Sequence, residues 1–117
     1  MSDEIRIFYN PSCTKCRLTL DILNDKGANT TVVEYLNTPP DHAELTDVLA
    51  ILGMEPRELM RKHEAPYKDN NLDNEDLSRE QLIQAMVNNP ILIERPIVIK
   101  GNKAIIGRPP EKVLDIL

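Results

Sequence analysis

A chain of 117 residues, 41% hydrophobic and 28% charged, has the size and balance of one soluble globular domain with a single core. Its net charge of −5, from 19 acidic against 14 basic residues, argues against a sequence-independent grip on nucleic acid or an anionic membrane. With no Trp, one Phe and three Tyr it lacks the rings for a base-stacking platform, and no apolar run approaches a membrane span of about 20 residues.

Ile5 to Tyr9 alternates and is rich in strand formers, which predicts a first strand. The residues ahead of it do not read as a signal peptide, so a cytoplasmic location is expected. Asn10, Pro11 and Ser12 break the strand, and a helix follows to about Lys26, with Cys16, Leu20 and Leu23 on one face and Gly27 as its stop. Thr30 to Leu36 predicts a second strand, completing a βαβ unit with parallel pairing.

Pro39, Pro40 and Asp41 open a second helix with Leu45, Val48, Leu49 and Leu52 inward, ended by Gly53. Glu55 to Leu59 reads as a short helix start, and residues 64–77 as a polar, acidic loop. Ser78 and Gln81 form a capping box for a helix with Leu82, Ile83 and Met86 inward, which Asn89 and Pro90 stop. Ile97 to Lys100 and Lys103 to Ile106 flank Gly101 and Asn102, a two-residue turn signal for an antiparallel hairpin. A final helix follows Glu111, with Val113 and Leu117 on its inner face. This order predicts an α/β, thioredoxin-like fold: a single domain over 1–117, with a mixed four-stranded sheet and a helical insertion at about 38–90 between strands 2 and 3.

Two cysteines are too few for a disulfide scaffold, and their position, Cys13 and Cys16 directly after a strand, suits redox or nucleophilic chemistry. Cys13 stands at the predicted helix start, where exposed N–H groups and the helix dipole stabilise a thiolate, and Lys15 and Arg17 add positive charge. An ordinary thiol, with pKa about 8.5, is almost wholly protonated at neutral pH, so such stabilisation decides its reactivity. Cys16, one turn on, either closes a disulfide with Cys13 or fills the apolar face beside Leu20 and Leu23.

No metal is expected. His42 and His63 are too far apart in sequence for a zinc pair with the cysteines. Asp69 to Glu80 imitates a calcium loop, but Asn74 replaces its turn glycine and Asp76 stands where an apolar residue packs. Arg61, Arg95 and Arg108, if they converge beside Cys13, would cradle a tetrahedral oxyanion through forked hydrogen bonds. Spacing alone does not bring them together.

Four segments in order carry a resemblance: Tyr9 to Cys13 with Arg17, Glu58 to Arg61, Asn89 to Val98, and Gly107 to Glu111. Over essentially its whole length the chain resembles the arsenate reductase family of the glutaredoxin-coupled, thioredoxin-fold (ArsC) type. The resemblance implies that Cys13 is the nucleophile and that Arg61, Arg95 and Arg108 hold the oxyanion. It also implies that Asn10 and Arg17 stabilise the thiolate or the anion, and that the peptide between Arg95 and Pro96 is cis. Arsenate or a related oxyanion would be the substrate, glutathione the co-substrate and glutaredoxin the partner, with thioredoxin as an alternative reductant and no tightly bound cofactor.

Two positions depart from the best-known arsenic-resistance members. Tyr9 stands where they carry a histidine, and Cys16 where they carry a serine. The chain also ends soon after Glu111, as in the shorter chromosomal branch. Two alternatives share the cysteines: a general thiol–disulfide oxidoreductase working through Cys13 and Cys16, and a redox-sensing Spx-type regulator that contacts RNA polymerase. Only an oxyanion enzyme needs all three arginines. No long exposed apolar heptad calls for a partner helix, so a monomer is expected.

Overall fold

The computed structural model describes residues 4–117; Met1 to Asp3, part of the stretch read as lacking a leader, lie outside the described residues. The chain forms two compact units, one running through Thr38 and resuming at Arg95–Leu117, the other Pro39–Glu94. The second covers the stretch expected as the insertion and continues to Glu94.

The first unit holds β1 (Ile5–Phe8), α1 (Thr14–Asp25), β2 (Thr30–Val33), β3 (Ile97–Lys100), β4 (Lys103–Ile106) and a closing 3₁₀ helix (Pro110–Ile116). Its strands form one mixed sheet in the order β2-β1-β3-β4, the thioredoxin-like arrangement expected. β1 runs parallel to β2, with Ile7 opposite Val32, and antiparallel to β3, with Ile7 opposite Val98. The β3–β4 hairpin closes through Gly101 and Asn102, and Gly101 takes φ +57°, a conformation that costs glycine nothing. Strand alternation sends Ile5 and Ile7 into a core with Leu23, Val98, Val113 and Ile116. Phe8 points to the opposite face, its ring centroid 6.4 Å from that of Tyr35.

Three expectations for this unit need correction. β2 stops at Val33, because the Glu34 carbonyl accepts the N–H groups of Asn37 and Thr38 and turns the chain, with Tyr35 wholly buried. The C-terminal helix is 3₁₀, not α. Its three-residue period buries Pro110, Val113 and Ile116 and leaves Leu117, expected inward, exposed. In α1 the fully buried residues are Cys16, Thr19 and Leu23, while Leu20 is half-buried. The Thr19 hydroxyl satisfies itself by donating to the Lys15 carbonyl at 2.8 Å.

The second unit contains α2 (His42–Leu52), α3 (Pro56–Leu59), α4 (Ala65–Asp69), α5 (Arg79–Asn88) and a 3₁₀ turn (Pro90–Leu92). The Asp41 carboxylate caps α2 by accepting the Glu44 N–H at 2.8 Å, and Gly53 ends it at φ +67°. α5 carries the expected capping box and packs on α2; Leu45, Val48 and Leu49 of one and Leu82, Ile83 and Met86 of the other are buried. Residues 64–77 are not all loop: Pro66 lies in the first turn of α4, and Tyr67 is buried with its hydroxyl donating to Asp73 at 2.6 Å. Arg57 pins the following segment through the Leu72 and Asn74 carbonyls, at 3.0 and 2.7 Å. No helix among the described residues is long and apolar enough to cross a membrane.

Candidate active site

The site is built where β1 hands over to α1. The Tyr9 N–H donates to the Val33 carbonyl at 2.8 Å, keeping the chain on the sheet for one more residue. Asn10, buried, then folds the turn: its side-chain oxygen accepts the Ser12 N–H and its backbone carbonyl accepts the Cys13 N–H, both at 2.9 Å. These bonds deliver Cys13 as the N-cap of α1, with φ −95° and ψ 120°, and its carbonyl accepts the Arg17 N–H at 3.1 Å. The thiol therefore stands beside the unpaired amides of the first helical turn.

The β3–β4 hairpin brings two arginines to the same sulfur. The peptide between Arg95 and Pro96 is cis, and so is that between Arg108 and Pro109, which the sequence did not signal. The Gly107 N–H donates to the Pro96 carbonyl at 3.0 Å, fixing the two ends of the hairpin against each other. Arg108 Nε donates to the Arg95 carbonyl at 2.8 Å, which leaves Nη2 at 4.0 Å from Cys13 Sγ. The Arg95 guanidinium interacts electrostatically with the same sulfur and with the Tyr35 hydroxyl.

The electrostatics divide the two thiols. Burial pushes Cys13 up, but the Cys16 amide, the Cys16 thiol and the Arg95 guanidinium outweigh it and hold Cys13 below the ordinary thiol range. Burial also pushes Cys16 up, to about 12; the Asn10 amide and Arg95 oppose this, and the neighbouring Cys13 sulfur adds to it. For Arg95, burial opposes the charge, but Cys13 and Tyr35 beside it keep its pKa above the usual value. Both cysteines are reduced, Cys13 7% exposed and Cys16 fully buried. Of the two thiols, Cys13 is the more readily ionised and the more exposed.

The remaining candidates are placed as follows. Arg17 is exposed on the first turn of α1, with its guanidinium 3.4 Å from the Thr14 hydroxyl. It lines a shallow groove of about 350 Å³ with Tyr9, Thr14, Leu18, Leu20 and Asp21. Arg61 belongs to the second unit, where it pairs with Glu64 at 3.2 Å and Glu94 at 3.0 Å, so its charge already meets two carboxylates. Tyr35 was missed, since nothing in the strand-like run Thr30 to Leu36 marks it as a neighbour of Arg95. Among the described residues no group of three His, Cys, Asp or Glu side chains could hold a metal ion.

A pH profile tests this electrostatic reading. Alkylation of Cys13 by iodoacetamide is expected to rise with pH as the thiol ionises and to level off below the ordinary thiol range, while Cys16 stays unmodified by peptide mapping. A profile with its inflection at or above the value of a free cysteine would contradict it.

The thioredoxin-like sheet thus sets a lowered-pKa cysteine at the start of α1 beside two arginines that flank an antiparallel hairpin. The model of the ArsC family matches residues 8–116, and the chain belongs to that family. It is 54% identical over 118 aligned positions to "Uncharacterized protein YfgD" of Escherichia coli (strain K12), covering 100% of this chain and 99% of that one. It is 46% identical to "Arsenate reductase" of Haemophilus influenzae (strain ATCC 51907 / DSM 11121 / KW20 / Rd), over 97% of this chain and 99% of the relative. The solved structure of an arsenate reductase from Vibrio cholerae matches with a TM-score of 0.96 and 43% identity, covering 100% of both chains.

Proposed function

We propose that this protein reduces arsenate to arsenite, with Cys13 as nucleophile and Arg95 and Arg108 as the oxyanion clamp. The observation that carries the reading is the convergence of the Arg108 and Arg95 guanidinium groups on a Cys13 sulfur held below its ordinary pKa. A thiolate approaching an oxyanion meets like charge, and two fixed cations offset that repulsion in the bound state and in the transition state. The Cys13 thiolate attacks arsenic and expels water or hydroxide, giving a Cys13 thioester of arsenic(V). Glutathione then attacks the adduct, glutaredoxin removes the glutathionyl group, and arsenite leaves. Overall two thiols surrender two electrons as a disulfide forms, and one arsenate oxygen departs as water.

Asn10 shapes the turn that presents Cys13, and Arg17 contributes to the positive field at the start of α1. Family resemblance would make Arg61 a third arginine on the anion, while its guanidinium is paired with Glu64 and Glu94 in this structure. On this reading the protein is a cytoplasmic monomer with no tightly bound cofactor. Arg108→Ala is expected to lower arsenate turnover with glutathione and glutaredoxin by about 100-fold or more. The same variant should leave alkylation of Cys13 by a neutral reagent within a few-fold of the parent. Unchanged arsenate turnover in Arg108→Ala would remove Arg108 from the clamp, and unchanged turnover in Arg61→Ala would do the same for Arg61.

A further inference from the structure

We propose that Cys16 is the resolving thiol of this site: once the Cys13 sulfur carries an adduct, the Cys16 sulfur attacks it and closes a disulfide between the two. The arsenate step rests on the reading of Cys13 as the nucleophile toward arsenate; the attack itself applies to any adduct on that sulfur.

Placement comes first. Cys13 is the N-cap of α1 and Cys16 its third residue, and an N-cap side chain folds back over that position. Residues three apart on a helix hold their Cβ atoms about 5–6 Å from each other, somewhat more than the roughly 3.5–4.5 Å of a disulfide. Cys16 lies inside the helix, whereas Cys13, at the N-cap, has non-helical φ and ψ and departs from that regular helical spacing. Exposure also separates the two roles. Cys13, 7% exposed, meets an incoming substrate from solvent, while Cys16, fully buried, reaches the same sulfur from the protein side. Exchange needs the attacking sulfur to approach the attacked sulfur from the side away from the leaving group, and a buried thiol behind a more exposed one suits that requirement.

The surroundings of Cys16 are not those of an inert core cysteine. The Asn10 amide and the Arg95 guanidinium both favour its ionised form, and the Cys13 sulfur is among the influences that keep it protonated. When Cys13 bonds to arsenic or to another sulfur its negative charge disappears, and the amide and guanidinium remain. Burial is the largest influence keeping Cys16 protonated and it persists, but loss of the Cys13 charge removes a second one, so formation of the adduct shifts Cys16 toward its thiolate.

In the arsenate reaction, Cys16 gives its proton to an arsenic-bound oxygen or to water, and its sulfur bonds to Cys13 Sγ. The bond from Cys13 Sγ to arsenic breaks, its electron pair stays with arsenic, and arsenite departs. Counting the water lost when the adduct formed, one arsenate and two thiols give one arsenite, one disulfide and one water. An external thiol or dithiol then reduces the disulfide. The same attack on a mixed disulfide between Cys13 and glutathione expels glutathione as a thiol.

The test uses the full chain, reduced and freed of reductant, in two arms. With oxidised glutathione, the parent is expected to release all bound glutathione and to end two hydrogens lighter than the reduced chain. Its tryptic peptides, separated by cleavage after Lys15, should be joined through Cys13 and Cys16. Cys16→Ser and Cys16→Ala should instead retain a glutathionyl group on Cys13. A parent that keeps the glutathionyl group on Cys13 and closes no disulfide overturns the proposal, and this result needs no variant to fold. With arsenate and no added thiol, the parent is expected to yield one arsenite per chain. If the disulfide closes in the first arm and no arsenite forms in the second, Cys16 stands as resolving thiol for sulfur adducts, its attack on the arsenic adduct is overturned, and arsenite production with added glutathione and glutaredoxin decides the arsenate reading separately.

Discussion

Arg95→Ala is expected to slow arsenate reduction by about 100- to 1000-fold, the range seen when one preorganised oxyanion donor is lost. Two effects combine in this variant. Arg95 directs its charge at the Cys13 sulfur and is one of the influences that lower its pKa, so its removal raises that pKa and cuts the thiolate fraction at neutral pH. The sign fixes the shape of the result. Alkylation should be slower than in the parent near neutral pH and should converge with it at high pH, where both sulfurs are ionised. Arg95→Lys separates the two roles. It restores a positive charge and most of the pH profile, yet lacks the planar fork that holds an oxyanion, so turnover should stay low. If Arg95→Ala matches the parent in both measurements, neither role belongs to Arg95.

Gly107→Ala is expected to destabilise the fold. A Cβ at this position would lie 2.6 Å from Thr19 Oγ1 and 2.9 Å from Pro96 Cγ. Neither neighbour is a loose side-chain end: the Thr19 hydroxyl is bonded to the Lys15 carbonyl, and Pro96 is a ring whose carbonyl accepts the Gly107 N–H at 3.0 Å. Forcing in one methyl group should cost about 1–3 kcal/mol, measured by denaturant unfolding. It should also push the next residue, Arg108, off its bond to the Arg95 carbonyl, so activity falls in protein that is still folded. Adding Thr19→Ala removes the closest clash and should recover part of the stability. Equal stability of Gly107→Ala and the parent would show that the hairpin and α1 can separate at no cost.

These two residues also show how far the sequence could be read. Cys13 was legible because its signal is local: a strand, a Pro-containing break and a helix start within a few residues. The hairpin at Gly101 and Asn102, the Ser78 capping box and the inward faces of α2 and α5 were legible for the same reason. The convergence of Arg95 and Arg108 on Cys13 was not, since sheet pairing far along the chain creates it; only family resemblance suggested it. Tyr35 escaped notice because Thr30 to Leu36 reads as one strand, and only the turn at Glu34 places its ring beside Phe8 and its hydroxyl near Arg95. α4 was hidden in a polar stretch whose order depends on Tyr67 and Arg57. In the C-terminal helix Val113 was legible as inward, but Leu117 was not, because the chain there adopts a three-residue period that buries Ile116 instead.

The central claim is that Cys13, supported by arginines, reduces an arsenic oxyanion. Its most direct test is arsenite production by the purified chain with arsenate, glutathione and glutaredoxin, run beside Cys13→Ser. Steady arsenite formation by the parent, with none above background from a folded Cys13→Ser protein, is the predicted result. No arsenite from a parent whose Cys13 still alkylates readily at neutral pH, or equal arsenite from Cys13→Ser, would contradict it.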